Sequence, residues 1–409
     1  MSDVQFMRLA LRLARRGYGI TSPNPMVGAV LAKGGKIIGR GWHRGAGLPH
    51  AEIEALQDAQ NHGHNPGDTT LYVTLEPCST HGRTSPCTDA IIAAGIKRVV
   101  AGTTDPNPKH SGRGFKILRR AGIAVTWWGE ATDEPRPGSR GLPPHLEIAN
   151  ECRRLNEAFN HWITYRTPFV TVKTAMTLDG KIATASGESK WLTGEKARAF
   201  GMKLRQGADA ILVGINTILA DNPALTFRSV QVSRFKVQGR MRLRRIILDS
   251  LARTPLKAKV MSDNFTALTT IVVSKRAPRN RVAALAKRVN VIVAPTAKAG
   301  RAVPSAPSSA RSEYAPYQIN LPWLLKRLGA ENVTRLLVEG GGEVNASFLL
   351  SGLAQRAAFF YAPKILGGRD SRKAVAGEGA KSLTEALQLR EVEWKRLGPD
   401  LLLTARVAS

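Results

Sequence analysis

"TLEPCSTHGRTSPCTDA", residues 74–90, holds two of the chain's three cysteines in a setting too polar for a hydrophobic core. Cys78 and Cys87 each follow a proline, and a helical pattern begins at the second of them. Elsewhere the chain almost avoids cysteine, and an odd count in a reducing compartment points to metal binding or catalysis rather than to disulfides. Upstream, in "GWHRGAGLPHAEIEAL" (41–56), His50 and Glu52 stand at the start of another helical pattern. A His-x-Glu alone says little. Together with the two cysteines it supplies one imidazole, two thiolates and a carboxylate, the makings of an open zinc site with three protein ligands and a fourth position for water. Bound zinc brings the pKa of that water to about 7, and Glu52 is left to move protons. Residues two apart project to different sides of a helix, so His50 fits at the cap with Glu52 in the first turn. Cys87 opens its own helix, whose partial positive charge favours thiolate.

At 409 residues the chain is long enough for about two domains. Its composition, 43% hydrophobic and 22% charged, describes folded globular domains rather than a disordered chain. The opening "MSDVQFMRLALRLARRGYGI" carries arginines at helical spacing and lacks the apolar run of a signal peptide; with no membrane span in view, the expected location is cytoplasmic. The net charge of +29 would attract nucleic acid, acidic surfaces or phosphorylated small molecules, or be a solvated face with no dedicated partner, and it does not choose among them.

Along the chain, "MVGAVLA" and "KIIGRGW" flank the turn Lys33-Gly34-Gly35 as a hairpin, and "TLYVTL", "RVVAGTT" and "IAVTWWG" alternate as strands with helices. A Pro/Gly-rich linker, "GEATDEPRPGSRGLPPH" (129–145), divides a first domain, 1–150, from a second, 151–409. The second opens with the helical "ECRRLNEAFNHWI" and the strand "PFVTVKTAM", and continues through "ADAILVG", "RRIILDS", "TTIVVS", "VNVIVAP", "RLLVEGGG", "AAFFYAP" and "DLLLTARV". A basic stretch (228–245) and a low-complexity loop (296–316) interrupt it. Cys152 reads as a buried small side chain, and Asp179-Gly180 as a turn.

The His-x-Glu and Pro-Cys elements resemble the zinc-dependent nucleobase deaminases. The "PC…HGRTSPC" spacing resembles the deaminase of riboflavin biosynthesis in particular, as do "SPNPMVGAV" (22–30), "HRGAGLPHAE" (43–52) and "DPNPKHSGRG" (105–114). The resemblance implies an α/β chain: an N-terminal cytidine-deaminase-like three-layer sandwich followed by a C-terminal dihydrofolate-reductase-like domain. It implies Zn2+ on His50, Cys78 and Cys87, Glu52 as the catalytic group, and Asn24, His43 and Arg83 in the substrate pocket. Thr80 stands where a substrate-contacting His is frequent, and Ser85 replaces a proline.

In the second domain, "LLVEGGGEVNASFLL" (336–350) reads as a strand, three glycines and a helix suited to a pyrophosphate, without the fingerprint of a Rossmann domain. With "VKTAMTLDGKIA", "SGESKWLTG", "KLRQGADAILVGINTILADNPALTFR" and "APKILGG" it is similar to the pyrimidine-reductase domain of that family. The likeness implies NADPH, contacted by Ala175, Trp191, Thr217, Asp221 and Ser250 and by Gly341, Gly342, Glu343, Val344, Asn345, Ala346 and Ser347. It implies substrate contacts at Ser189, Arg205, Leu225, Arg228 and Glu339. The implied activity is hydrolytic deamination of 2,5-diamino-6-(5-phosphoribosylamino)pyrimidin-4-one, then reduction of its ribosyl group to ribityl. The expected partners are these phosphorylated pyrimidines and further copies of the chain as a homo-oligomer, with no dedicated nucleic acid and no membrane. The alternative, a tRNA deaminase docking through its basic surface, is opposed by the cysteine spacing and by the lack of aromatics interleaved with basic strands.

Overall fold

The computed structural model describes residues 1–81, 85–108, 110–129, 142–227, 243–296 and 319–408. Arg83, Arg228, most of the linker, nearly all of the basic stretch and nearly all of the low-complexity loop lie outside the described residues. The chain forms two compact units, one running Met1–Arg166 and the other beginning at Thr167. The division expected at 150 falls inside a helix of the first unit. Among the described residues no helix is long and apolar enough to cross a membrane.

The first unit opens with α1 (Asp3–Ala14), started by a capping box in which Ser2 and Gln5 each bond the other's backbone N–H. The hairpin β1 (Gly28–Lys33) and β2 (Lys36–Trp42) follows, with Gly34 and Gly35 at positive φ in its turn. Then come α2 (Ala51–Asn61), β3 (Thr70–Val73), α3 (Cys87–Ala93), β4 (Arg98–Ala101), α4 (Arg113–Arg120), β5 (Ala124–Trp127), α5 (Pro144–Leu155) and α6 (Glu157–Tyr165). The strands form one sheet in the order β2-β1-β3-β4-β5, antiparallel at the hairpin end and parallel from β3 to β5.

Alternation along the strands makes the layers. Ala29, Leu31, Leu71, Val73 and Val99 face α2, α3 and α4, whereas Val30, Ala32, Tyr72 and Val100 face α1 and α5. That is the expected three-layer sandwich. Cys152 is buried in the second layer, where burial pushes its thiol up to about 12, an inert packing residue as expected.

The second unit is built on β6 (Phe169–Thr177), β7 (Lys181–Ala183), α7 (Glu195–Gln206), β8 (Ala210–Gly214), α8 (Ile215–Asp221), β9 (Arg244–Leu248), α9 (Lys259–Ser262), β10 (Thr269–Val273), α10 (Arg279–Ala286) and β11 (Asn290–Val293). It ends with α11 (Leu321–Ala330), β12 (Arg335–Val338), α12 (Gly342–Leu349), β13 (Arg356–Ala362), β14 (Arg372–Lys373), β15 (Leu389–Leu397) and β16 (Asp400–Val407). Nine strands form a sheet in the order β11-β10-β9-β8-β12-β6-β13-β16-β15. It is parallel from β11 to β13 and antiparallel through β16 and β15. β7 and β14 pair separately. The chain leaves β8 toward β9 on one side and β12 toward β13 on the other. Adjacent strands whose connections diverge leave a crevice at their carboxyl ends.

One contact in the first unit sets the height of a helix over the sheet. A Cβ added at Gly39 would lie 2.3 Å from Ala55 O, and one at Gly41 would lie 2.1 Å from Ala51 O, so α2 rests directly on the β2 backbone. Gly41→Ala should therefore lift the first turn of α2, destabilising the first unit by about 1–3 kcal/mol as overpacking does. Thermal denaturation of the full chain checks this: the unfolding midpoint of the first unit should fall, with that of the second unchanged.

Candidate functional site

The start of α2 is capped by His50 in extended conformation, but its imidazole makes no capping bond. It turns to the cysteines instead, with Nδ1 3.3 Å from Cys87 Sγ and 3.4 Å from Cys78 Sγ. Cys87 is the first residue of α3, and its backbone N–H, one of the donors every helix start leaves unpaired, donates to Cys78 Sγ at 3.3 Å. Thr88 N–H donates to Cys78 O at 3.1 Å, so the first turn of α3 grips Cys78 at both sulfur and carbonyl.

The three ligand atoms lie within 4.8 Å of one another. Zinc at ordinary bond lengths holds tetrahedral S and N donors ~3.5 Å apart, so this donor set fits the ion in both chemistry and spacing. The side-chain hydrogen bond that the two sulfurs share holds Cys78 well below the usual thiol range, while the same bond and burial push Cys87 up. The N–H at the start of α3 also points at the Cys78 sulfur, so this helix start faces both thiols of the pair. A divalent cation removes both protons.

Glu52, in the first turn of α2, is 3% exposed. Burial and the Cys78 charge raise its carboxyl to about 7, within the range where one group both accepts and donates a proton. His43 is buried, and burial lowers its pKa, which keeps it neutral. Its Nδ1 lies 3.0 Å from Pro49 O and must donate; Nε2 then accepts from Asn24 Nδ2 at 3.1 Å, which fixes both the tautomer and the Asn24 amide. The His43 and His50 rings meet edge to face, their centroids 5.2 Å apart. Asn24, His43, His50, Glu52, Cys78 and Cys87 therefore form one cluster. Thr80 is half-buried nearby in the chain, and His81 is exposed.

In the second unit a cleft of about 710 Å³ opens at the carboxyl ends of β8 and β12. Of the residues expected there, Ala175, Ser189, Trp191, Arg205, Thr217, Asp221, Leu225, Glu339, Gly341, Gly342, Glu343 and Val344 all line it. Gly341 caps α12 without a side chain, and a Cβ there would meet nothing within 4 Å, so this helix start lines the cleft with uncovered backbone. Gly342 is needed for another reason: a Cβ would lie 2.3 Å from Lys373 O. This open, donor-rich floor fits a pyrophosphate.

Four expected cofactor residues stand apart from the lining. Asn345 is buried and gives its Nδ2 to Ala374 O at 2.8 Å, Ala346 is buried, and Ser347 Oγ donates to Glu343 O. Ser250 follows β9, and its carbonyl accepts from Ser274 N and Oγ. Its loop is held by buried Asp249, which accepts from the backbone of Arg253 and Thr254 and from the Thr254 hydroxyl. Arg253 reaches Asn216 of the cleft wall at 3.1 Å. Asp179 is a turn residue as expected, accepting from Thr177 Oγ1 and from the backbone of Leu366 and Gly367.

Arg205 grips Glu339 with two bonds of 2.9 Å and gives a third, of 2.8 Å, to Thr226 O. Lys173 Nζ lies 3.7 Å from the same carboxylate and also lines the cleft. The sequence reading missed Lys173. Its signal was there, a lysine in the middle of the apolar strand "PFVTVKTAM".

The two sites match two known families. Residues 1–103 match the cytidine and deoxycytidylate deaminase zinc-binding region, and residues 168–403 match the RibD C-terminal domain. The riboflavin biosynthesis protein RibD of Aquifex aeolicus is 41% identical over 98% of this chain and 97% of its own. That of Escherichia coli is 36% identical over 98% and 99%. Among solved structures, Acinetobacter baumannii RibD superposes with a TM-score of 0.79 at 31% identity over 100% of this chain and 99% of that one. The Thermotoga maritima diaminohydroxyphosphoribosylaminopyrimidine deaminase/5-amino-6-(5-phosphoribosylamino)uracil reductase gives 0.74 at 33% identity, covering 99% of each chain.

Burial alone would raise the Glu339 carboxyl, but Lys173 and Arg205 together hold it down to about 2. A group depressed on folding stabilises above its unfolded value, 4.5, and loses that contribution as pH falls toward its folded value of about 2. The stability difference between wild type and Glu339→Gln should therefore be constant above that window and shrink across it, as measured by denaturant unfolding at stepped pH.

Proposed function

The chain belongs to the RibD family of bifunctional riboflavin biosynthesis deaminase/reductases, and we propose that its first unit hydrolyses the 2-amino group of 2,5-diamino-6-(5-phosphoribosylamino)pyrimidin-4-one. The observation that carries this reading is the convergence of His50, Cys78 and Cys87 with buried Glu52 in the adjoining helical turn. Zinc on these three donors supplies an acidified water at neutral pH. Glu52 takes a proton from the attacking water, passes it to the ring nitrogen beside C2, and with a second proton transfer lets the amino group leave as ammonia. The His43 bond turns the Asn24 amide nitrogen toward the imidazole, which supports a role for the Asn24 carbonyl oxygen in receiving the pyrimidine. Arg83 is proposed for the substrate phosphate.

In the second unit the proposed reaction converts the ribosyl group of the deaminated product to ribityl. NADPH supplies the hydride to C1′. The bare start of α12 at Gly341 and Gly342 receives its pyrophosphate, with Ala175, Trp191, Thr217 and Asp221 along the rest of the cofactor. The neighbouring Glu343 to Ser347 segment sets the helix in place. Glu339, held by Arg205 and Lys173, faces the sugar as a fixed anion, and Ser189, Leu225 and Arg228 complete the substrate side. The reading also includes a homo-oligomer, supported by the exposed Trp394 and Val392 on the open edge strand β15. A cytoplasmic location is supported by three free cysteines.

Glu52→Gln should keep zinc and fold while abolishing ammonia release, because the near-isosteric amide cannot accept the proton. The same variant given the deaminated pyrimidine and NADPH should still form the ribityl product. Normal ammonia release would remove Glu52 from proton transfer.

NADPH should be preferred over NADH about tenfold to hundredfold, since a charge-assisted bond from the Ser250 and Arg253 loop to the 2′-phosphate is worth ~1.5–3 kcal/mol. Comparing kcat/KM with both cofactors in wild type and Ser250→Asp checks this. A ratio unchanged by the new carboxylate would place the 2′-phosphate elsewhere.

A further inference from the structure

Glu76, two residues before the zinc ligand Cys78, is 5% exposed, yet no role in proton transfer falls to it. Its carboxylate accepts three backbone N–H groups from one loop: Asp105 at 3.0 Å and Gly112 at 2.9 Å on Oε2, and Gly114 at 2.8 Å on Oε1. Two of these donors belong to the start of α4, whose cap, Gly112, has φ 74 and no side chain of its own to cap with. Glu76 reaches across to supply the missing cap, with its charge at the positive end of the helix. The fit between the segments is tight, since a Cβ added at Gly114 would lie 2.3 Å from Pro77 O. The Glu76 N–H also donates to Thr103 O at 2.9 Å.

Cys78 is thus fixed from both directions. The first turn of α3 holds its sulfur and carbonyl, and the start of α4 holds the Glu76 carboxylate and lies close against the Pro77 carbonyl just before it. We infer that Glu76 is a positioning residue of the metal centre, clamping Asp105, Gly112 and Gly114 against Pro77 so that the Cys78 sulfur is set at zinc-binding distance before the ion arrives. The inference rests on the reading of His50, Cys78 and Cys87 as the zinc site. Groups that orient a metal ligand commonly change affinity by ~10–100-fold when altered, and that is the size of effect expected.

The test is zinc competition against a chromogenic chelator with the full chain. Glu76→Gln replaces one carboxylate oxygen by an amide NH2 facing N–H donors, so its zinc affinity should fall about 10–100-fold, with circular dichroism and thermal denaturation of the first unit as the control for fold. Gly114→Ala, which pushes on Pro77 from the other side, should weaken zinc in the same direction. Cys87→Ala separates the two claims: if it keeps zinc, the site itself is misassigned; if it loses zinc while Glu76→Gln binds as wild type, only the clamp is overturned. A second measurement needs no variant. In wild type stripped of zinc, the amides of Asp105, Gly112 and Gly114 should stay protected from hydrogen exchange, because the clamp precedes the metal. Loss of their protection on stripping would show that the ion holds the loop, and the inference would fall.

Discussion

A helix begins with N–H groups that have no partner within it, and both catalytic regions of this chain are arranged around that constraint. At α2 the capping residue gives up its own cap bond so that His50 can face the sulfurs. At α3 the first free N–H goes to Cys78, and at α4 the donors are taken by Glu76 from a distant segment. At α12 the capping residue has no side chain, and the helix start lines the cleft. Where a functional group is fixed, the helix start is filled by protein; where the cofactor pyrophosphate is proposed to bind, it is left bare.

The two units also treat a buried glutamate in opposite ways. Glu52 has lost water and sits beside a thiolate, so its proton is loosely held near neutrality. Glu339 has lost water too, but Arg205 and Lys173 compensate, and it stays a fixed anion well below the usual carboxylate range. One environment makes a proton carrier, the other a static charge. The proposed hydrolysis draws on the first, since protons move in it, and the proposed hydride delivery on the second, where positioning is most of what the protein contributes.

What the sequence made legible were the parts whose chemistry resides in side-chain type. Two cysteines after prolines, with a His-x-Glu at a helix start, are scarce enough to name a metal site, and the apolar strands of both sheets announced themselves by composition. β15 did not: "LREVEWKRL" is exposed along nearly its whole length, so it has no buried face to give it a period. Glu76 stood in the first stretch read and still carried no message, because its partners are backbone N–H groups, and any sequence supplies those. Asn345 shows the converse: a residue carried over as a cofactor contact whose side chain closes a hydrogen bond inside the fold.

Every described residue of the zinc cluster lies in the first unit, and every described residue lining the reductase cleft lies in the second. Genetically, this makes one reading frame behave as two loci. On the roles proposed above, a lesion at Glu52 stalls the pathway at the diamino compound, and one at Glu339 stalls it at the deaminated compound. Two such defective copies in the same cell would still hold one intact example of each step, and would restore the whole conversion wherever the intermediate leaves one copy for the other.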